Sequence, residues 1–184
     1  MYVLILITII LIITTICIYN TMLSKKNKLL KSYASLDVML KKRYDLVPNV
    51  VNTVKAYAKY EQETLEKIIS IRSRANECKD SKDLEEVSQN YNMFMDDVSF
   101  LAEQYPDLKA NTNFLHLQKL LNELEEQISA ARRTYNAHVE KFNTYISYIP
   151  LNIFASIFKF KPYDFFEINS HERETKIWFN EDEK

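Results

Sequence analysis

Residues 114–146 read FLHLQKLLNELEEQISAARRTYNAHVEKFNTYI. Phe114, Leu117, Leu121, Leu124, Ile128, Ala131, Tyr135, Val139, Phe142 and Ile146 step by threes and fours through this stretch. That spacing places side chains on one face of an α-helix, because a helix turns once every 3.6 residues. Neither glycine nor proline interrupts the stripe. The pattern predicts one long helix with a single buried seam.

The same spacing recurs on the N-terminal side. Leu84, Val87, Tyr91, Phe94, Val98, Leu101, Tyr105 and Leu108 form one stripe. Leu29, Tyr33, Leu36, Leu40, Tyr44 and Val47 form another, and Val50, Val51, Val54, Ala58, Leu65, Ile68, Arg72 and Ala75 a third once one polar step near Glu61 is allowed. The 184 residues contain no glycine, where average usage would give about a dozen. A Walker loop, a dinucleotide-binding turn and a nucleophile elbow all need glycine and are excluded. Primed hairpin turns usually need it too, which counts against a β-rich fold.

The predicted fold is therefore all-α, with helices at about 25–45, 48–78, 82–105 and 112–148. Pro48, Pro106 and Pro150 punctuate them. Pro48 disfavours helix at Val47, so a hairpin is expected there, with Asp45 capping the helix that follows. A rod kinked at Pro48 is the alternative. Ser81 is an expected N-cap with Asp83, Glu85 and Glu86 in the first turn, and Asn111 to Asn113 are expected to cap the long helix. Short connections make neighbouring helices antiparallel, which gives an up-and-down four-helix bundle over 25–149.

Residues 1–24 carry no charged side chain. The apolar run includes Tyr2, Leu4, Leu6, Ile9, Leu11, Ile13, Ile16 and Ile18 and is broken only by Thr8, Thr14 and Thr15, whose hydroxyls can bond back to helix carbonyls. About 20 apolar residues suffice to cross a bilayer core. No basic residues precede the run and no small-residue cleavage box follows it, so an uncleaved transmembrane helix is expected rather than a signal peptide. Lys25, Lys26, Lys28 and Lys31 follow directly. By the positive-inside bias they place the N-terminus outside and the helices in the cytoplasm, at the cell (inner) membrane. The same lysines are candidates for contact with anionic headgroups, although orienting the span is role enough for them.

A net charge of −1 argues against general nucleic-acid binding. Cys17 and Cys78 form neither a zinc knuckle nor a disulfide framework, and say nothing of redox compartment. His116, His138 and His171 are scattered, and neither Glu-x-x-His nor H-E-x-x-H occurs. No metal, cofactor or catalytic constellation is expected. Glu123, Glu125 and Glu126 read as a solvated charged face.

Three segments carry a family resemblance: SYASLDVMLKKRYDLVPNVVNTVKAYAKYEQETLE at 32–66, YPDLKANTNFLHLQKLLNELEEQISAARRTYNAHVEKFNTYI at 105–146, and IFKFKPYDFFE at 157–167. They resemble the LemA family over nearly all of the chain after the apolar run. The resemblance implies a bacterial-type single-pass membrane protein with an antiparallel helical bundle, and it implies no reaction. Tyr33 stands where a tryptophan is usual in the family, and Ala56 and Lys159 stand where glycine is common; none of these departures bears against the fold.

Polar residues within those segments are the candidate site. Arg132, Asn136 and Asn143 share a stripe beside the seam of the long helix, Arg133 lies next to them, and Asp37 sits beside Leu36. Arg43, Asp45 and Asn49 flank the first turn. Polar groups in a helix seam must be paired, so a structural network is the plainer reading and a ligand or partner site the sharper one. Asp37 is expected to pair with Arg132, Arg133 or Arg43.

The C-terminal part, 150–184, holds Phe154, Phe158, Phe160, Tyr163, Phe165 and Phe166 with Lys159 and Lys161 between. It is expected to fold back over one end of the bundle, or else to lie at a membrane interface or clasp a partner. Past Ser170 it reads as a polar loose end, with Trp178 and Phe179 able to dock. The expected function is a non-catalytic interaction or scaffold module at the membrane, with another protein as partner. A membrane-associated enzyme with a polar site between helices, or a membrane-surface lipid sensor, are the alternatives.

Overall fold

A computed structural model describes residues 1–57 and 81–166, with side chains from 86 onward in the second stretch. Among the described residues every regular element is an α-helix. They are α1 (Tyr2–Asp45), α2 (Val47–Lys55), α3 (Ser81–Gln104), α4 (Pro106–Lys109), α5 (Thr112–Ser147) and α6 (Leu151–Ile157). Part of the expected second helix (58–78), Cys78, His171 and the tail with Trp178 and Phe179 lie outside the described residues. So do the side chains of the expected cap at Ser81.

The hairpin expected at Pro48 does not form. Leu46 keeps a right-handed helical backbone (φ −82°, ψ −17°) and is a one-residue interruption. The Val50 N–H donates to the Leu46 carbonyl at 3.1 Å, so the helix resumes in the same sense. Proline lacks only its own N–H, and near a helix start that donor has no partner to lose. The N-cap position of α2 falls to Leu46, whose apolar side chain makes no cap hydrogen bond, and Asp45, the expected cap, is the last residue of α1.

Asn111 does cap α5, as expected. Its Oδ1 accepts the N–H of Asn113 at 2.9 Å and of Phe114 at 3.1 Å. The α3 stripe departs from its expected course at its end. Ala102 is buried while Tyr105 is exposed, because Tyr105 leaves helical geometry (φ −119°, ψ 89°) ahead of Pro106.

The chain divides into two compact units. The first is Met1–Asp37 with Ala130–Phe165. Its core contains Met22, Leu29, Leu36, Tyr135, Val139, Phe142 and Ile146. Lys25 lies over the ring of Tyr145 and Tyr33 packs on Tyr135, so α1 and the end of α5 run antiparallel there. The second unit, among the described residues, takes in 38–57, 81–129 and Phe166. Leu40, Tyr44, Val47, Val50 and Val54 are buried in it, with Val87, Tyr91, Phe94 and Val98 of α3 and Phe114, Leu121 and Ile128 of α5. Each large apolar side chain so buried contributes roughly 1.5–3 kcal/mol relative to exposure.

The apolar run at the start of α1 is exposed almost throughout. Tyr2, Leu4, Leu6, Ile9, Leu11, Ile13 and Ile16 are exposed and Ile18 is half-buried. Thr8, Thr14 and Thr15 return their hydroxyls to the carbonyls of Leu4, Ile10 and Leu11 at 2.8–2.9 Å. Among the described residues this is the one helix long and apolar enough to cross a membrane.

Candidate functional site

In the second unit the most concentrated chemistry surrounds Arg43. The 3/4 periodicity of α1 that buries Leu40 and Tyr44 also turns Arg43 inward, leaving it 1% exposed. Its Nη1 donates to Oε2 of Glu125 on α5 at 2.9 Å. Its Nη2 donates to Oγ of Ser88 on α3 at 3.0 Å and to the Tyr44 hydroxyl at 3.4 Å. Those two hydroxyls lie 3.0 Å apart and form one hydrogen bond in which either can donate. The guanidinium also stands 4.3 Å from the ring centre of Tyr91 and 5.3 Å from that of Tyr44, a cation–π arrangement with two rings. Only Nε finds no acceptor among the described residues.

The electrostatics follow from this packing. Burial disfavours the charged guanidinium, but the Glu125 carboxylate and the two tyrosines outweigh it, and Arg43 is held above the ordinary arginine range. Burial pushes the Tyr91 phenol well up; Arg43 opposes that shift without cancelling it. Both groups move away from neutrality. Acid–base catalysis near pH 7 wants the opposite displacement.

A second constellation lies in the first unit. Asn143 grips the backbone of Tyr163: its Nδ2 donates to the carbonyl at 2.8 Å, and its Oδ1 accepts the N–H at 3.0 Å. The Tyr135 hydroxyl donates to the Asp164 carbonyl at 3.0 Å. Burial and the nearby Asp164 push the Tyr135 phenol up. Phe142 meets Phe160 and Tyr163 edge-on, and Tyr19 meets Phe158 at 5.0 Å between ring centres. The aromatic segment therefore folds back onto α5 and α1 within this unit.

The turn into that segment is a helix C-cap of Schellman form. The Phe160 N–H bonds to the Ala155 carbonyl at 2.9 Å and the Lys159 N–H to the Ser156 carbonyl at 3.2 Å. Lys159 takes the left-handed conformation at φ 57° that the motif requires. Sequence reading treated its replacement of glycine as neutral for the fold. Here a side chain occupies a position that favours glycine, at a cost of about 1 kcal/mol.

Of the polar candidates, Arg43 and Asn143 prove to be centres of networks. Arg132 is buried, Asp37 and Asn136 are half-buried, and Arg133 is exposed. Asp45 and Asn49 are exposed at the α1–α2 junction. The carboxylate on Arg43 is Glu125, which sequence reading assigned to solvent. Ser88 is not singled out by the sequence reading, and Tyr44 and Tyr91 enter it only as members of the apolar stripes. A signal existed: Arg43 is three after Leu40, Ser88 three before Tyr91, and Glu125 four after Leu121 and three before Ile128. Each is a polar residue at core spacing. Lys25 and Lys26 are half-buried against Tyr145 and Phe160, while Lys28 and Lys31 are exposed and line a shallow groove with Asn20, Leu23, Ser24 and Asn27.

Comparison with known proteins gives consistent matches. The sequence model of the LemA family matches residues 32–179. Protein LemA of Metamycoplasma hominis is 27% identical over 128 residues, covering 69% of this chain and 58% of that protein. Magnetosome proteins MamQ 1 and MamQ 2 of Paramagnetospirillum magneticum are each 33% identical over 67 residues, covering 36% of this chain and 25% of theirs. The matched stretch thus spans just over half of the first relative and a quarter of the other two.

Proposed function

This chain belongs to the LemA family, and on that footing we propose that it is a single-pass membrane protein whose helices form a non-catalytic interaction module. The apolar run from Tyr2 to Tyr19 is the anchor, and the lysines after it hold the helical part on the cytoplasmic side of the cell membrane. The helical part is read as an up-and-down antiparallel bundle. Arg43 of α1, Ser88 of α3 and Glu125 of α5 meeting in one cluster supports three packed walls.

One observation carries the non-catalytic reading. Arg43, the most prominent buried charge, directs both Nη atoms to Glu125, Ser88 and Tyr44 and stands against the rings of two tyrosines. A buried charge that ties α1 to α3 and α5 in this way supports a role in fixing helix register. The exposed face of α3, with Met93 and Phe100 among Asp96, Asp97 and Glu103, is where a protein partner would sit.

Site-specific photo-crosslinking in intact cells tests this. A crosslinker at Phe100 should give discrete protein adducts, and these should persist in a folded variant carrying R43M with E125L. Absence of adducts from Phe100 and Met93 alike contradicts the interaction reading. Loss of adducts in the folded double variant contradicts a purely structural seam.

A further inference from the structure

No side chain between Lys141 and Lys159 carries a charge at neutral pH. The stretch contains the end of α5, Pro150 and the whole of α6. Ile153 and Ile157 lie four apart on one face of α6 and Ile149 in the turn before it; Ile149, Ile153 and Ile157 are 84%, 58% and 65% exposed. Leu6 and Ile13, inside the apolar run of α1, are 59% and 55% exposed. Apolar residues bared to this degree, with no charge among them, are costly to hold in water.

Contacts within the first unit fix where this face lies along α1. The Phe158 ring, one residue past α6, packs on Tyr19 at 5.0 Å. Tyr19 lies about 9 Å before Lys25 at the rise of an α-helix, and thus inside the apolar run. Phe160 is 6.0 Å from Tyr19 and has Lys26 over its ring at 5.9 Å. Lys25 lies over Tyr145, just before the uncharged stretch turns. Lys25, Lys26, Lys159 and Lys161 therefore bracket the element, with aromatic rings between them and the isoleucines. Aromatic rings and snorkelling lysines of this kind mark a headgroup boundary.

We propose that α6 and the residues flanking it are a second lipid-facing element, seated in the membrane interface beside the C-terminal end of the anchor. The occupant of the exposed isoleucine face is the bilayer that the anchor spans, because Phe158, next to Ile157, packs on Tyr19 within the run read as that anchor. At seven residues α6 is about 10 Å long, far too short to cross, so it lies in the interface. The inference rests on the reading of residues 2–19 as a membrane span.

The test uses the full chain with Cys17 and Cys78 replaced by serine. Single cysteines I10C, I153C and I157C carry an environment-sensitive fluorophore. The protein is reconstituted in phosphatidylcholine–phosphatidylglycerol vesicles whose lipids bear a nitroxide either near the headgroup or deep in the chain. Both α6 sites should be blue-shifted and quenched most by the shallow nitroxide, and the Ile10 site most by the deep one. Quenching at Ile10 with water-like, unquenched emission at both α6 sites would overturn the inference and leave the anchor standing. An unquenched Ile10 site would overturn the anchor reading, and with it the shared depth on which the inference depends.

Discussion

Glu125 accepts a 2.9 Å hydrogen bond from Arg43, a residue 82 positions earlier, and the two ends of that bond are unequal: Arg43 is 1% exposed and the Glu125 side chain 46%. The carboxylate keeps half its hydration while the guanidinium depends on protein for its own. Removing the acid therefore strands the base. In E125A the loss should be about 1–2 kcal/mol, below that of a fully buried pair because solvent screens the exposed end. At roughly 3 °C per kcal/mol the melting temperature should fall by a few degrees, against almost no change in E123A. The double variant R43M with E125L should be more stable than E125A alone, since it removes the buried charge together with its partner. Thermal melts of the four proteins in one detergent decide this.

The tyrosine beneath Arg43 makes stability sensitive to alkali. Burial raises the Tyr91 pKa in the folded protein, while an unfolded tyrosine ionises near 10. Above that pH the unfolded state binds fewer protons than the folded one, so stability falls as pH rises. It is fully present below about pH 10. Y91F keeps the ring that Arg43 covers and removes the ionising group. Its melting temperature should decline less steeply from pH 9 to 11 than that of the unsubstituted protein. Tyr135, also shifted upward, leaves a residual slope.

Much of the helical plan was legible in sequence because periodicity, caps and the apolar run are local properties. Asn111 illustrates this: an asparagine just before a periodic stretch had one sensible use, and it caps Asn113 and Phe114. Pro48 misled because its effect depends on context. Proline inside a helix breaks a bond, whereas proline two residues past an interruption at Leu46 forfeits nothing. Glu125 misled for a different reason. Its neighbours Glu123 and Glu126 are solvated, and only its spacing from Leu121 and Ile128 set it apart. Which basic residue it would meet depends on how α1 and α5 are paired, and no single segment encodes that.

Lys159 offers a gain rather than a loss. Its φ of 57° sits at the C′ position of the α6 cap, where glycine avoids the clash that a Cβ brings. K159G should raise stability by about 0.5–1 kcal/mol, partly offset by the freer unfolded chain. K159V should lower it by more, because β-branching worsens the same clash. Chemical denaturation of the three proteins gives the ranking directly.

Asn143 holds the aromatic segment through both of its amide atoms. N143L should release Tyr163 while α5 stays helical. Trypsin should then cut at Lys159 several-fold faster, with cutting at Lys141 unchanged and the helical circular dichroism retained. Equal cutting rates at Lys159 in the variant and the parent would show that the clamp does not restrain the segment.

The central claim is that residues 2–19 span the membrane with the helical units on its cytoplasmic side. The direct measurement is cysteine labelling of intact spheroplasts with a membrane-impermeant maleimide. Cys17 and Cys78 are replaced by serine, and a single cysteine is placed either at the start of the apolar run (Y2C) or on the exposed face of α3 (M93C). The account predicts that Y2C labels in intact spheroplasts and that M93C labels only after lysis. Labelling of M93C in intact spheroplasts, with Y2C protected, would contradict it and place the helical units outside.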